Sequence, residues 1–219
     1  SLILNVGVKT FGMERIAFLF NGFLLAVLVV AIIAFQPEIR RALIRIGQTS
    51  LFSASSRQQI SRGVEEIISA VSQMAATRTG ALLVIERKVG LGEFIETGVR
   101  LDARITAELI KTIFYPGTPL HDMALIIRGD RLVAARVQLP LAEGESAVGS
   151  LGSRHRAALG LAASSDALVI VVSEETGIIS IASDGKLERN VTESQLRKVL
   201  KEALEQGEQA TEQQADKQQ

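Results

Sequence analysis

The amino-acid sequence predicts an α/β protein, with a central mixed β-sheet flanked by helices and a transmembrane helix ahead of it. Three observations carry that expectation. One is a long uncharged apolar run near the N-terminus. The second is a stretch with apolar residues at helical spacing. The third is a series of short, strongly apolar runs, bounded by turn residues and separated by helical segments.

Residues 16–35 read IAFLFNGFLLAVLVVAIIAF. Eighteen of these twenty are apolar and none is charged. Twenty helical residues rise about 30 Å, the hydrocarbon thickness of a bilayer. Fourteen are Leu, Ile, Phe or Val. Each of these favours insertion, and Asn21 alone does not cancel the sum. A secretory signal has a shorter apolar core and a small-residue cleavage site; here Gln36-Pro37-Glu38 follows instead. A buried helix of a soluble core is the competing reading, but such a helix normally keeps a polar face. Arg40, Arg41 and Arg45 follow the span, whereas Lys9 and Arg15 before it are partly offset by Glu14. The positive-inside rule then places the protein in the cell membrane with its C-terminal side in the cytoplasm. Residues 1–8 are also apolar, and a start at Ser1 is expected of a piece with further membrane segments upstream.

Residues 48–57, QTSLFSASSR, are Ser-rich and aperiodic, the mark of a linker. From 58 to 76, Ile60, Val64, Ile67, Ile68, Val71 and Met74 recur three or four apart and predict an amphipathic helix. Apolar runs at 81–86, 124–127, 132–139, 167–173 and 178–182 predict strands covered on both faces. Helices are expected at 103–114, 154–163 and 193–205. Thr192 and Gln195 form a capping box for the last of them. Gly129-Asp130 and Asp184-Gly185 mark hairpin turns, the second in the favoured order. The expected division is a membrane segment over 1–47, linker and amphipathic helix over 48–77, an α/β domain over 78–205, and a disordered tail over 206–219.

Composition narrows the function. With 219 residues, 47% hydrophobic and 22% charged, the chain is not disordered throughout. It has no Cys, which excludes disulfides, thiolate metal sites and a cysteine nucleophile. Lys+Arg and Asp+Glu balance at 24 each, and aromatics make up 4%. Neither a bulk basic field nor a base-stacking platform is present, so no nucleic-acid partner is expected. A mean hydropathy of +0.26 is high for so many charges; the span at 16–35 accounts for much of it.

Three polar constellations are candidates for chemistry. Pro116-Gly117-Thr118-Pro119-Leu120-His121-Asp122 precedes a strand, where His and Asp can hold a hard divalent cation. A turn-capping Asp beside a surface His is the plainer reading. Gly149-Ser150-Leu151-Gly152-Ser153-Arg154-His155-Arg156 opens a helix. Its backbone N–H groups, the helix dipole and two guanidinium groups suit phosphate, against the alternative of a solvated basic helix start. It is no Walker loop, because GxxxxGK[ST] is absent. Ser173-Glu174-Glu175-Thr176-Gly177 ends the most apolar strand, as a carboxylate metal site or an exposed acidic turn. Ser153, His155 and Asp122 also leave a membrane-tethered hydrolase open, although the elbow motif GxSxG is missing.

The segments FQPEIRRAL, TGALLVIER, FIETGVRLDARITAELIKTIFYPGTPLHD, GSRHRAALG and SEETG resemble, in that order, the membrane-bound bacterial diadenylate cyclases of the CdaA type, which carry the DisA_N or DAC domain. The resemblance covers about residues 30–205. It implies condensation of two ATP into cyclic di-AMP with release of two pyrophosphates, aided by Mg²⁺, Mn²⁺ or Co²⁺. It implies a face-to-face homodimer, each protomer holding one ATP. Carried over by position, Asp122 would bind metal and help activate the 3′-hydroxyl, with His121 and Glu175 as further metal ligands, from facing protomers if need be. Arg154, His155 and Arg156 would act on the phosphates. Met123, Ala124, Leu139, Gly152, Ser153 and Ser173 would contact the nucleotide. A membrane-anchored regulator and phosphoglucosamine mutase are partners implied by the resemblance alone.

Two departures from the family pattern stand out. The family signature Asp-Gly-Ala is Asp122-Met123-Ala124 here, and Ser153 stands where the family usually has Thr. Ser keeps the hydroxyl. Met adds a side chain where glycine lets backbone approach a ligand, so turnover is expected to be weakened. A catalytically silent nucleotide-binding or scaffold module at the membrane is the alternative reading.

Overall fold

A computed structural model of the chain describes residues 20, 22–30, 58–142 and 152–217. The chain falls into two units, Ser1–Ala54 and Ser55–Gln219. In the first, residues 22–30 are helical, and Phe23, Leu25 and Val30 are exposed. Among the described residues no helix is long and apolar enough to cross a membrane. The rest of the expected span at 16–35, the arginines after it and the linker at 48–57 lie outside the described residues.

The second unit is a seven-stranded mixed sheet with helices on both faces. Helix α1 (58–76) leads into β1 (Ala81–Ile85), α2 (Gly92–Ile95), β2 (Val99–Arg104) and α3 (Ala107–Ile113). The hairpin β3 (Ala124–Arg128) and β4 (Arg131–Val137) follows, then α4 (Ser153–Ser164), β5 (Leu168–Val172), β6 (Ile179–Ser183), β7 (Lys186–Arg189) and α5 (Glu193–Lys217). Spatial order is β2-β4-β3-β1-β5-β6-β7. Only β1 and β3 run parallel; every other neighbouring pair is antiparallel.

The central strands are apolar on both faces because both faces are covered. Ala81, Leu83 and Ile85 of β1 pack with Leu125, Ile127 and Ile170 against Val64, Ile67, Ile68, Val71 and Met74 of α1, together with residues of α3 and α5. The alternate residues Leu82 and Val84 pack with Ile126 and Val169 against Ala158, Leu161 and Ala162 of α4. The periodicity read over 58–76 is therefore the core-facing stripe of α1.

Some boundaries differ from expectation. The predicted helix over 103–114 is a strand followed by a shorter helix. Val99-Arg100-Leu101-Asp102-Ala103-Arg104 alternates apolar and charged residues and forms the edge strand β2, with a bulge between Arg100 and Ala103. Helix α3 starts only after Thr106, whose Oγ1 accepts the Leu109 N–H. The expected capping box is present: the Thr192 N–H donates to Gln195 Oε1 at 2.9 Å, and the Gln195 N–H to Thr192 Oγ1 at 3.4 Å. Helix α5 then continues to Lys217, through the stretch expected to be a disordered tail from 206. Gln, Glu and Ala are strong helix formers. The extension is also docked, since Arg87 Nε donates to Gln206 Oε1 at 2.6 Å. At Gly207 an added Cβ would lie 2.6 Å from the Glu86 carbonyl oxygen.

Glu86 closes the far end of β1. Its carboxylate accepts Arg128 Nε at 2.5 Å, Arg128 Nη2 at 2.9 Å and the Leu91 N–H at 3.1 Å. That hydrogen bond and the adjacent charge hold the guanidinium pKa above its ordinary value. The Glu86 side chain is 7% exposed and the Arg128 side chain 38%, so the pair lies between the surface and fully buried regimes. Arg128→Met, which strands the Glu86 charge, is expected to cost about 2 kcal/mol. Thermal melts should show this as a loss of roughly 4–8 °C.

Candidate functional site

The strand register brings the polar constellations to one end of the sheet. Ala81 lies opposite Val172, Leu83 beside Leu125, Ala124 opposite Val137, Val172 opposite Ile179 and Ser180 opposite Arg189. The starts of β1 and β3 thus share an edge with the ends of β4, β5 and β7. The N-terminus of α4 belongs to the helix layer that packs on this sheet.

An open cleft lies there between the first turn of α4 and the turn joining β5 to β6. Gly152, Ser153, Arg154 and His155 form one wall; Ser173, Glu174, Glu175 and Thr176 form the other, with Arg189 at the end of β7. Residues 152–155 of the second constellation and 173–176 of the third therefore line one cleft, while 149–151 lie outside the described residues. Gly152 caps α4 in extended conformation, without a side-chain cap. The first turn thus offers backbone N–H groups at the positive end of the helix dipole. Arg154 Nη1 donates to Glu174 Oε2 at 2.6 Å, while Arg154 Nε and Arg156 Nε are buried and have no acceptor. Arg154 lines the cleft, and an unpartnered buried guanidinium donor there suits an anionic ligand.

His155 is buried on α4, 7% exposed, with Nε2 at 3.4 Å from the Ser180 hydroxyl. Burial lowers the imidazole pKa below the ordinary histidine range. The positive charge of Arg189 adds to that shift, and Glu175 opposes it. The unfolded chain therefore takes up a proton before the folded one does. The stability that this site contributes is present above about pH 6.5 and is lost as pH falls from there toward the lowered folded value. Melting curves between pH 7.5 and 5 should show an acid-side loss in the native chain that is smaller in His155→Gln.

The first constellation stands apart from the cleft, at the start of β3. His121 Nδ1 donates to the Thr118 carbonyl at 2.6 Å. In the neutral ring this leaves a lone pair on Nε2, which lies 3.5 Å from Asp122 Oδ1. The Asp122 side chain is 68% exposed. The turn ahead of β3 brings these two side chains together. Met123 follows at φ +69°, in the left-handed region, and its side chain is 43% exposed. Ala124 begins β3 fully buried, and Leu139 is buried just past β4. The expected third ligand, Glu175, is not part of this pair. Among the described residues no three His, Asp or Glu side chains gather as a metal centre. Strand β1 lies between β3 and β5 and keeps the two sets on separate strand ends.

Sequence reasoning missed Gly80, Glu174 and Arg189. Glu174 lay in a motif already singled out, and Arg189 follows from the Asp184-Gly185 hairpin, which requires a strand after it. Nothing in the sequence shows why position 80 is glycine.

The family of the DisA bacterial checkpoint controller nucleotide-binding domain matches residues 68–187, more than half of the chain. The chain belongs to this family. Of the site residues named above, all but Arg189 fall inside the span matched to that nucleotide-binding domain. The cyclic di-AMP synthase CdaA of Bacillus subtilis is 46% identical over 172 residues, 77% of this chain and 63% of that protein. A diadenylate cyclase of Listeria monocytogenes is 41% identical over 198 residues, 89% of this chain and 72% of that protein. The chain thus spans a little under two thirds of the Bacillus relative. Among solved structures, DacA from Staphylococcus aureus superposes with a TM-score of 0.64 at 43% identity, over 65% of this chain and 95% of that one. A hypothetical membrane spanning protein from Bacillus cereus gives 0.58 at 38% identity, over 74% and 80%.

Proposed function

We propose that this chain is a diadenylate cyclase, condensing two ATP into cyclic di-AMP with release of two pyrophosphates. The observation that carries the reading is the meeting, at one sheet end, of a phosphate-suited cleft and an exposed His121–Asp122 pair, in a chain whose relatives bear that activity in their names.

In this reaction each 3′-hydroxyl attacks the other nucleotide's α-phosphorus in line. Two O–P bonds form, two P–O bonds to pyrophosphate break, and each hydroxyl gives up a proton. Catalysis is then mostly alignment and charge neutralisation. Ser153, the α4 N-terminus, Arg154 and Arg156 would hold the triphosphate, with His155 beside them; Gly152, Ser173 and Ala124 would shape its path. Leu139, buried near the β3 corner, would back the adenine. Asp122 would accept the hydroxyl proton.

A divalent cation, Mg²⁺, Mn²⁺ or Co²⁺, fits the donor set. The neutral His121 ring presents Nε2 next to the Asp122 carboxylate, and the Thr118 carbonyl fixes the ring. When bound, such an ion would neutralise phosphate charge. Since His121 and Asp122 supply only two donors, we assign the remaining ligands to the nucleotide and to Glu175 of a facing protomer. That arrangement requires a homodimer for turnover. We place the 78–205 domain in the cytoplasm, tethered to the cell membrane by the apolar span at 16–35. A membrane-anchored regulator and phosphoglucosamine mutase remain proposed partners.

Purified chain incubated with ATP and Mn²⁺ should yield cyclic di-AMP. No product from the native chain and none after Met123→Gly would refute the reading. The positive φ of Met123 favours a second reading, a silent nucleotide-binding or scaffold module. It predicts ATP or cyclic di-AMP binding without turnover, and normal turnover excludes it.

A further inference from the structure

Glu174 is an acid that the phosphate chemistry does not call for, yet it occupies the cleft wall. Its Oε2 accepts Arg154 Nη1 at 2.6 Å, and the two side chains are 62% and 19% exposed. The pair lies directly over the start of β1. A Cβ built on Gly80 would sit 2.7 Å from Arg154 Nη1, 2.8 Å from Glu174 Oε2 and 2.9 Å from Arg154 Cζ. A side chain at that position would have to displace the ends of both partners. Three segments distant in sequence, the entry to β1, the first turn of α4 and the β5–β6 turn, meet at this one contact. The guanidinium has five N–H donors in a rigid fork. Glu174 engages one of them, and the Nε donor stays buried without an acceptor.

From this we infer that Glu174 is a positioning residue: lying with Arg154 across Gly80, it holds the guanidinium in place so that its remaining donors meet the triphosphate of the nucleotide. This rests on the phosphate-binding reading of the cleft and adds how the grip is set before the ligand arrives. A flexible arginine must lose rotamer freedom when it binds. Arg154 has already lost part of it, because its side chain is largely buried and a carboxylate holds one edge of the guanidinium. Glu174 acts through Arg154 and touches no reacting atom.

The test titrates the full chain with tripolyphosphate by calorimetry and measures steady-state kinetics with ATP. Glu174→Ala should weaken tripolyphosphate binding about tenfold, the loss expected when a charge-assisted contact is no longer pre-formed. Its melting temperature should stay within about 2 °C, since an exposed ion pair adds little stability. Glu174→Gln, which keeps an oxygen acceptor, should lose only about threefold. KM for ATP should rise with the binding loss while kcat stays within about threefold, because the contact holds ground state and transition state alike. Adding Glu174→Ala to Arg154→Ala should change binding by less than about twofold, since the two act as one unit. Unchanged or tighter binding in Glu174→Ala would overturn the inference. So would an undiminished Glu174→Ala effect in the Arg154→Ala background. A native chain that makes cyclic di-AMP alongside an unaffected Glu174→Ala refutes the positioning role alone. A native chain that binds tripolyphosphate and loses it in Glu174→Ala, with no cyclic di-AMP made by it or after Met123→Gly, upholds the role and refutes the cyclase reading.

Discussion

Met123→Gly is expected to raise the rate of cyclic di-AMP formation on the order of 100-fold, the factor that a displacement of about 1 Å at a reacting centre costs. Met123 sits between the exposed Asp122 and the buried first residue of β3, at φ +69°. In that region an L side chain carries a penalty of about 1–2 kcal/mol, and glycine carries none. The methionine gains little in return, because its side chain is 43% exposed. On the proposed reading, its side chain would also stand where glycine would let a nucleotide approach the backbone beside Asp122. Stability should hardly move, since relief of strain is offset by about 0.5–1 kcal/mol of added freedom in the unfolded chain. Initial rates with Mn²⁺ and a thermal melt on the same samples separate the two effects. A faster enzyme with the same melting temperature is the expected pair of results. An unchanged rate would show that Met123 leaves the reacting geometry intact.

Asp122→Asn is expected to lower the turnover number by about 10³-fold, within the range for loss of a positioned general base. The substitution keeps the shape of the side chain and removes its capacity to accept a proton. The carboxylate is open to solvent, so an incoming hydroxyl can reach it, and His121 lies 3.5 Å away with its ring fixed by the Thr118 carbonyl. The proposed phosphate grip sits elsewhere, on α4 and the β5–β6 turn. Tripolyphosphate affinity should therefore survive while the rate collapses. A rate within about tenfold of the native chain would deny Asp122 the proposed role.

Much of the fold was legible because burial is two-sided. A strand covered on both faces is mostly apolar, so β1, β3 and β5 stand out as short greasy runs, and β6 does so despite its buried Ser180. Helix α1 shows its stripe for the converse reason, since only one of its faces meets the sheet. Strand β2 was lost because it is an edge. Its alternation of Val, Leu and Ala with Arg, Asp and Arg is a period-two signal, but Ala103 and Arg104 were absorbed into the helix that follows. Strand β7 has four residues, mostly exposed, and only its turn announces it. In the site, the arginines, His155 and the acids were legible as residue types suited to phosphate and metal. Their division was not. Spacing along the chain does not reveal that 152–155 and 173–176 face each other, or that 121–122 lies beyond β1. Gly80 was illegible for the same reason, since its requirement comes from two side chains that fold over it.

The position of β1, hydrogen-bonded to β3 on one side and β5 on the other, bears on how the protein breathes. Within the sheet, the path from the His121 corner to the β5–β6 side of the cleft crosses this strand, so a fluctuation that frees it loosens both. Amide hydrogens of Leu82, Leu83 and Val84 should then exchange only through the largest cooperative opening of the domain. A phosphate ligand bound in the cleft should slow them together with those of β3, which it need not touch.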